Sequence, residues 1–386
     1  MSKNKILHVV DSFYPAIEFG GPILSTKALC DFIINDSNLQ LTVLTNNKLR
    51  PHSKLTLDEK SENFISTTKK YNVNWIDHSK WYSEFSFIIK LIGLIRKSDI
   101  IHLTGMFNKC SFYTIISAFL FNKKIIISPR GSIQAIFEFS RIKKLKFKLL
   151  VLKFYSFILR YKKSYWLGTT EVENSYSNRI KRLKSFTCIN PVDIPLNNFN
   201  KTKTANKSII CFISRLSQKK GLIRFLNITS KLSPDNFEII IAGSPENEII
   251  HQKVLRYTEK YNHIKYYGLV AGSNKKKFYT KSDLFFFPSD SENFGIVIAE
   301  ALSYGCSVLT SVKSPWNKHC EKGVLEIFEL SDSDDILLKK IINISNLKKA
   351  KNNLKFNCVQ IIKKHYSYNS MSDQIYNAYK TIINNE

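Results

Sequence analysis

Along the chain, short apolar runs alternate with stretches long enough for helices. Ile6–Val10, Leu41–Thr45, Ile100–Leu103 and Ile125–Ser128 are apolar without alternation. A strand wetted on one face alternates, whereas a strand covered on both faces does not. These runs therefore predict buried strands of a parallel sheet. Between them, Leu24–Ile34 and Phe112–Phe121 carry helical patterns. A second series begins near Ser208, with strands predicted at Ile209–Ser214, Phe237–Ala242, Ile264–Tyr267, Leu284–Pro288, Val308–Ser311 and Leu325–Phe328. Such strand–helix alternation predicts an α/β fold with doubly wound, Rossmann-like sheets.

The two series are separated by Pro191-Val-Asp-Ile-Pro195 and a polar stretch through Lys207 that has no periodicity, as expected of a linker. The expected organisation is an N-terminal domain over 1–195, a C-terminal domain over 205–367, and a tail over 368–386. The helix of that tail, Met371–Ile383, is expected to pack back on the first domain.

One segment stands apart. Arg141–Tyr165 interleaves Lys and Arg with Leu, Phe, Val and Tyr. It reads equally as a basic amphipathic helix lying on an anionic membrane and as a domain helix whose cationic stems cover the core edge.

Composition narrows the field. With 44% hydrophobic and 13% aromatic residues among 386, the chain has ample material for large cores and is not disordered. Lys and Arg outnumber Asp and Glu by 58 to 31, a formal net charge of +27. That excess fits three readings: a compositional bias toward Lys, an anionic membrane partner, or nucleic acid. The Lys residues are dispersed, and no recognition helix or cation-interleaved aromatic platform is visible, so nucleic acid is not an expected partner. The seven Cys are scattered, several within apolar runs, without C-x-x-C pairs or zinc spacing. They read as reduced, buried thiols of a cytoplasmic protein. The start lacks the apolar region of a signal peptide, and no apolar run reaches the ~18 residues of a spanning helix. The expected location is the cytoplasm, with the inner face of the cytoplasmic membrane as a possible docking surface.

Candidate chemistry gathers where predicted strands end. After the strand closing at Pro288 comes Ser-Asp-Ser-Glu292-Asn293-Phe294-Gly295, then an apolar helix bearing Glu300. Gly295 lets a ligand approach the backbone, and the helix N-terminus there suits phosphate or sugar oxygens. Carboxylates accept sugar hydroxyls; the plainer reading makes Glu292 a cap and Glu300 a surface residue. Arg215-Leu-Ser-Gln-Lys-Lys220-Gly221 follows another strand, offering a guanidinium fork and an ammonium to phosphate oxygens. Gly20-Gly21-Pro22, after the first strand, permits close backbone approach without being a dinucleotide fingerprint. His102 and Ser128-Pro-Arg130-Gly131 end two further strands. Asp332-Ser-Asp334 precedes a helix and reads as a helix cap, not a metal motif.

Taken together these motifs resemble glycosyltransferase family 4, or group 1. The family's E-x7-E pattern is matched by Glu292 and Glu300, its R-L-x-x-x-K-G by Arg215 through Gly221, and its N-terminal Gly-Gly-Pro loop by Gly20–Pro22. The resemblance implies the GT-B arrangement, two Rossmann-like domains facing across a cleft. It also implies retaining transfer of a sugar from a UDP- or GDP-sugar to a saccharide or lipid-linked acceptor, with no cofactor and no metal. Arg215 and Lys220 would neutralise the donor diphosphate, aided by Gly20 and Gly21, and Glu300 would hold the ribose. Glu292 would be the catalytic and sugar-binding carboxylate, assisted by Asn293, Phe294 and Gly295. His102 matches the first His of the family's H-x-H-G segment, which makes it the second catalytic candidate, although Thr104 replaces the second His. Pro129-Arg130-Gly131 resembles a variant in members that build bacterial surface polysaccharides such as lipopolysaccharide or capsule, which makes Arg130 an acceptor or donor contact. A nucleotide-sugar epimerase of the same shape, a basic nucleic-acid-binding protein and a non-catalytic membrane scaffold are the competing readings.

Overall fold

The computed structural model describes residues 3–48, 71–77, 85–134, 136, 145–160, 163–180, 183–192, 194, 207–350 and 353–384. The chain divides into two compact units, 1–190 with 369–386, and 191–368. Most of the expected linker lies outside the described residues.

The first unit is built on seven parallel strands: β1 (Asn4–Val10), β2 (Leu39–Asn46), β3 (Asn72–Ile76), β4 (Ile100–Thr104), β5 (Lys124–Ser128), β6 (Ser164–Gly168) and β7 (Lys184–Thr187). Their order is β3-β2-β1-β4-β5-β6-β7. The central pair sets Ile6 against Ile100 and His8 against His102. The helices are α1 (Gly21–Ile33), α2 (Phe85–Arg96), α3 (Lys109–Leu120), α4 (Leu145–Ile158), α5 (Glu171–Ser175) and α6 (Ser177–Ile180). Four of the seven strands are the apolar runs of the sequence. The helix expected over 141–165 is shorter: among the described residues it spans α4, and Tyr165 belongs instead to the wholly buried strand β6. Its first residues, 141–144, lie outside the described residues.

The second unit has six parallel strands: β8 (Ser208–Ile213), β9 (Phe237–Ala242), β10 (Ile264–Tyr266), β11 (Leu284–Phe287), β12 (Ser307–Ser311) and β13 (Leu325–Phe328). All six are the predicted runs. Their order is β10-β9-β8-β11-β12-β13, so the winding reverses between β8 and β11. The helices are α7 (Leu222–Thr229), α8 (Glu248–Lys260), α9 (Gly272–Lys281), α10 (Ile296–Ser303), α11 (Asp334–Ala350) and α12 (Leu354–His365). The chain then returns to the first unit as α13 (Tyr368–Asn384). This helix is pinned there by polar contacts: the Lys124 ammonium donates to the Ile382 carbonyl at 3.0 Å, and the Ile189 N–H donates to Gln374 Oε1 at 2.9 Å.

Candidate functional site

In doubly wound sheets, ligands bind beyond the carboxyl ends of the strands, where the winding reverses. In the second unit that point is flanked by the loop after β8, residues 214–221, and the loop after β11, residues 288–295. Gly221 lets them meet. Its φ is +75°, and a Cβ added there would fall 1.7 Å from the Pro288 carbonyl oxygen, so any side chain would drive the loops apart. A backbone bond fastens the junction: the Asp290 N–H donates to the Lys219 carbonyl at 3.0 Å.

This junction brings together residues 72 positions apart. Lys220 Nζ donates to Glu292 Oε1 at 2.6 Å, and Ser289 Oγ donates to that oxygen at 2.7 Å. Glu292 is buried, and the Lys220 ammonium is an ion-pair partner for its charge. The Glu292 N–H donates to the Lys313 carbonyl at 3.1 Å, fixing the loop against the end of β12. Arg215, on the Lys220 loop, is exposed. Beside the pair, burial raises the Asp290 carboxyl above its ordinary range, against the pull of Lys219 and Arg224.

Glu300 stands apart from the Lys220–Glu292 pair. On α10 its Oε2 lies 2.5 Å from Lys275 Nζ and accepts a hydrogen bond from the Tyr279 hydroxyl at 3.3 Å. Burial first, and the Glu300 charge second, hold the Tyr279 hydroxyl protonated as a donor. The helix expected to open near Phe294 opens at Ile296, with Gly295 as its left-handed cap at φ +72°. The Phe294 ring is buried at 5.7 Å from Trp316 and 5.5 Å from Tyr366, and the Trp316 indole N–H donates to its carbonyl at 2.5 Å. Phe294 thus anchors the loop from below, and a ligand would meet backbone there instead of the ring. Asn293 is half-buried beside it.

In the first unit, Gly20 at φ +101° turns the chain into α1, whose first residue is Gly21. Arg130 follows β5 in a left-handed conformation, φ +50°. Its guanidinium donates to Asn190 Oδ1 and reaches Ser25 Oγ of α1 at 3.5 Å, so Arg130 and the Gly20–Gly21 turn share one edge of the sheet. The buried Glu173 carboxylate braces that edge: it accepts from the Gly131 N–H at 2.6 Å and the Thr169 N–H at 2.8 Å.

His102 is not presented to a ligand. The ring is fully enclosed, with Nδ1 2.6 Å from the Tyr379 hydroxyl and Nε2 2.7 Å from Ser128 Oγ. It stacks on His8 with centroids 4.4 Å apart. Burial, reinforced by His8 and Arg130, holds its pKa well below the ordinary value. As placed, this neutral ring joins β4, β5 and α13. Ser333, between the two acidic residues of Asp332-Ser-Asp334, accepts from the Ile336 N–H at 3.4 Å at the start of α11.

Residues 193–357 match the family model of glycosyl transferases group 1. The second unit belongs to the group 1 glycosyl transferases. Both motif carboxylates and both motif cations lie inside this group 1 domain. The chain is 30% identical over 112 residues to an uncharacterized glycosyltransferase of Methanocaldococcus jannaschii, a match covering 28% of this chain and 27% of that protein. It is 24% identical over 233 residues to an uncharacterized 41.2 kDa protein in the cps region of Klebsiella pneumoniae, covering 52% of this chain and 63% of that one. The chain thus spans less than two thirds of the length of these relatives. Among solved structures it is similar to Anabaena HepE in complex with UDP and glucose, at TM-score 0.69 and 18% identity, covering 98% of this chain and 100% of that one. At that identity the likeness speaks for the fold alone, the two Rossmann-like units of the GT-B class.

Several residues that hold these arrangements escaped the sequence reading, among them Lys275, Tyr279, Glu173, Asn190, Trp316 and Tyr379. Glu173 alone carried a signal, the capping-box spacing Thr170-x-x-Glu173. Thr170 Oγ1 does accept the Glu173 N–H at 3.1 Å, but the carboxylate turns to Gly131 and Thr169.

Proposed function

We propose that the chain is a retaining family 4 glycosyltransferase that moves a sugar from a UDP- or GDP-sugar to a saccharide or lipid-linked acceptor, in assembly of a bacterial surface polysaccharide. The observation that carries this reading is the Lys220–Glu292 pair at the winding reversal of the group 1 domain, with Arg215 on the same loop. Similarity to a protein crystallised with UDP-glucose supports a UDP-sugar donor, and similarity to a protein of a cps region supports the polysaccharide setting.

Sugar transfer gathers positive charge at the anomeric carbon and negative charge on the departing diphosphate. Arg215 and Lys220 carry the second charge, each through charge-assisted hydrogen bonds, without a metal ion. An incoming diphosphate competes with Glu292 for the Lys220 ammonium. Glu292, displaced from Lys220, then accepts a hydroxyl of the donor sugar beside the Asn293–Gly295 backbone. Glu300, steadied by Lys275 and Tyr279, holds the ribose hydroxyls. In the first unit, Gly20 and Gly21 are the turn that the family resemblance assigns to the phosphates, and Arg130 the side chain it assigns to donor or acceptor. His102 orients the β4–β5 edge from within.

A panel of nucleotide sugars tests the reading. The true donor at a hundredfold excess over its dissociation constant adds about 2.7 kcal/mol of stability, and with acceptor present yields a product of unchanged anomeric configuration by NMR. Stabilisation by none of them removes the reading; conversion of the donor sugar without acceptor replaces it with epimerisation.

A further inference from the structure

Helices α2, α3 and α4 lie side by side on one face of the first sheet. One apolar cluster joins Phe87 and Leu91 of α2, Ile115 of α3, and Leu152 and Tyr155 of α4 to the strands beneath. A surface helix that has buried one stripe ordinarily turns polar residues outward. These three keep large apolar side chains outside as well. On α4, Phe147, Leu150, Phe154 and Phe157 recur at three- and four-residue spacing and all are exposed, Phe147 by 62% and Leu150 by 64%. Phe85, exposed by 79%, and Ile89 do the same on α2, and Phe119 and Leu120 on α3. Phe112 of α3 stacks on Phe154 of α4 with centroids 5.6 Å apart, and Phe87 beneath the α2 stripe meets Tyr113 of α3 at 6.3 Å. Single exposed hydrophobic residues need no explanation, but a continuous apolar surface across neighbouring helices marks an interaction site.

Its charge names the partner. The three helices carry Lys90, Arg96, Lys109, Lys146, Lys148 and Lys153, and no Asp or Glu. Lys146 and Lys153 are two helical turns apart on α4, and both are exposed beside the apolar stripe. Rings and leucines bordered by cations fit the interface of an anionic bilayer, where apolar groups enter the acyl boundary and ammonium groups meet lipid phosphate. A second copy of the chain would set these cations against one another, which costs free energy. We propose that the outer face of α2, α3 and α4 docks the first unit on an anionic lipid bilayer. The surface is three helices wide, well beyond the single basic segment legible in the sequence, and it does not depend on the transferase reading.

Co-sedimentation with vesicles tests this. The wild-type chain is expected to bind phosphatidylglycerol-containing vesicles, more weakly as salt rises, and to bind pure phosphatidylcholine vesicles poorly. Lys109→Ala, Lys146→Ala and Lys153→Ala together should weaken partitioning roughly a hundredfold, at about a factor of five per cation. Phe85→Ser with Ile89→Ser, on α2, should weaken it as well, separating the three-helix face from α4 alone. These positions are exposed, and circular dichroism checks that each variant folds. Negligible binding of the wild type to every vesicle, or binding indifferent to all these substitutions, overturns the proposal. A concentration-dependent dimer abolished by Phe154→Ser would assign the face to a second copy instead.

Discussion

Replacing Lys220 with Met keeps most of the side chain's length and removes its charge. The ammonium now lies 2.6 Å from Glu292 Oε1, with the side chains 21% and 7% exposed. Breaking a fully buried pair costs about 3–5 kcal/mol, whereas exposed pairs contribute about 0–1 kcal/mol. This pair lies between those limits, and Ser289 Oγ still donates to the Glu292 carboxylate. A loss of roughly 2 kcal/mol is expected, lowering the melting transition of the second unit by about 4–8 °C. The same substitution removes a charged contact to the diphosphate, worth about 1.5–3 kcal/mol, or roughly ten- to a hundredfold in affinity. Adding Glu292→Gln should separate the two effects. The amide still accepts from Ser289 and leaves no uncompensated charge, so stability returns while affinity for the nucleoside diphosphate does not. Thermal unfolding and calorimetric titration with UDP or GDP, run on wild type, single and double variants, read both quantities. A Lys220→Met protein that binds diphosphate as tightly as wild type, or a double variant that regains affinity, would refute the reasoning.

Three further outcomes are expected. Gly221→Ala should destabilise the second unit by about 2–3 kcal/mol, because Ala resists the left-handed φ of +75° and its Cβ meets the Pro288 carbonyl; a urea midpoint equal to wild type would contradict this. Burial, with Arg130 nearby, holds the His8 pKa down to about 3 from an ordinary 6.5, and His102 is lowered likewise. Between those values the unfolded chain binds protons that the folded chain does not, so stability is full above pH 6.5 and falls as pH drops. At pH 5 His8 removes about 2 kcal/mol, His102 acts in the same direction, and a urea midpoint unchanged between pH 7.5 and pH 5 would sink the idea. Sugar transfer should persist in excess chelator, since Arg215 and Lys220 carry the diphosphate charge; loss restored by magnesium or manganese would count against it.

The second sheet was legible because its central strands are continuous apolar runs, Ile209-Ile-Cys-Phe-Ile213 and Leu284-Phe-Phe-Phe287, and its outer strands keep apolar residues around single charged positions such as Glu238, Lys265 and Glu326. The first sheet was legible only at its centre. Outer strand β3, Asn72-Val-Asn-Trp-Ile76, carries two Asn, and edge strand β7, Lys184-Ser-Phe-Thr187, has two exposed positions, so neither reads as a buried run. Strand β6 was hidden because Lys163 and Tyr165 continue the cation–aromatic pattern of α4 across the break before Ser164. At the site, spacing marked Arg215, Lys220, Glu292 and Glu300 as one constellation. Only the fold shows Lys220 on Glu292 but Lys275 on Glu300, because those pairs form between loops and helices far apart in the chain. His102 illustrates the converse. A His near a strand's end reads as available, yet Tyr379, 277 residues later, closes over it.

The central claim, that the winding reversal of the group 1 domain binds the diphosphate of a nucleotide sugar, is tested most directly at Arg215. Its side chain is exposed on the loop after β8, so Arg215→Ala should leave the fold intact. Calorimetric titration of UDP and GDP into wild type and variant should show the preferred diphosphate binding roughly ten- to a hundredfold more weakly to the variant. Equal affinity in a folded variant would contradict the account, because the diphosphate would then bind elsewhere.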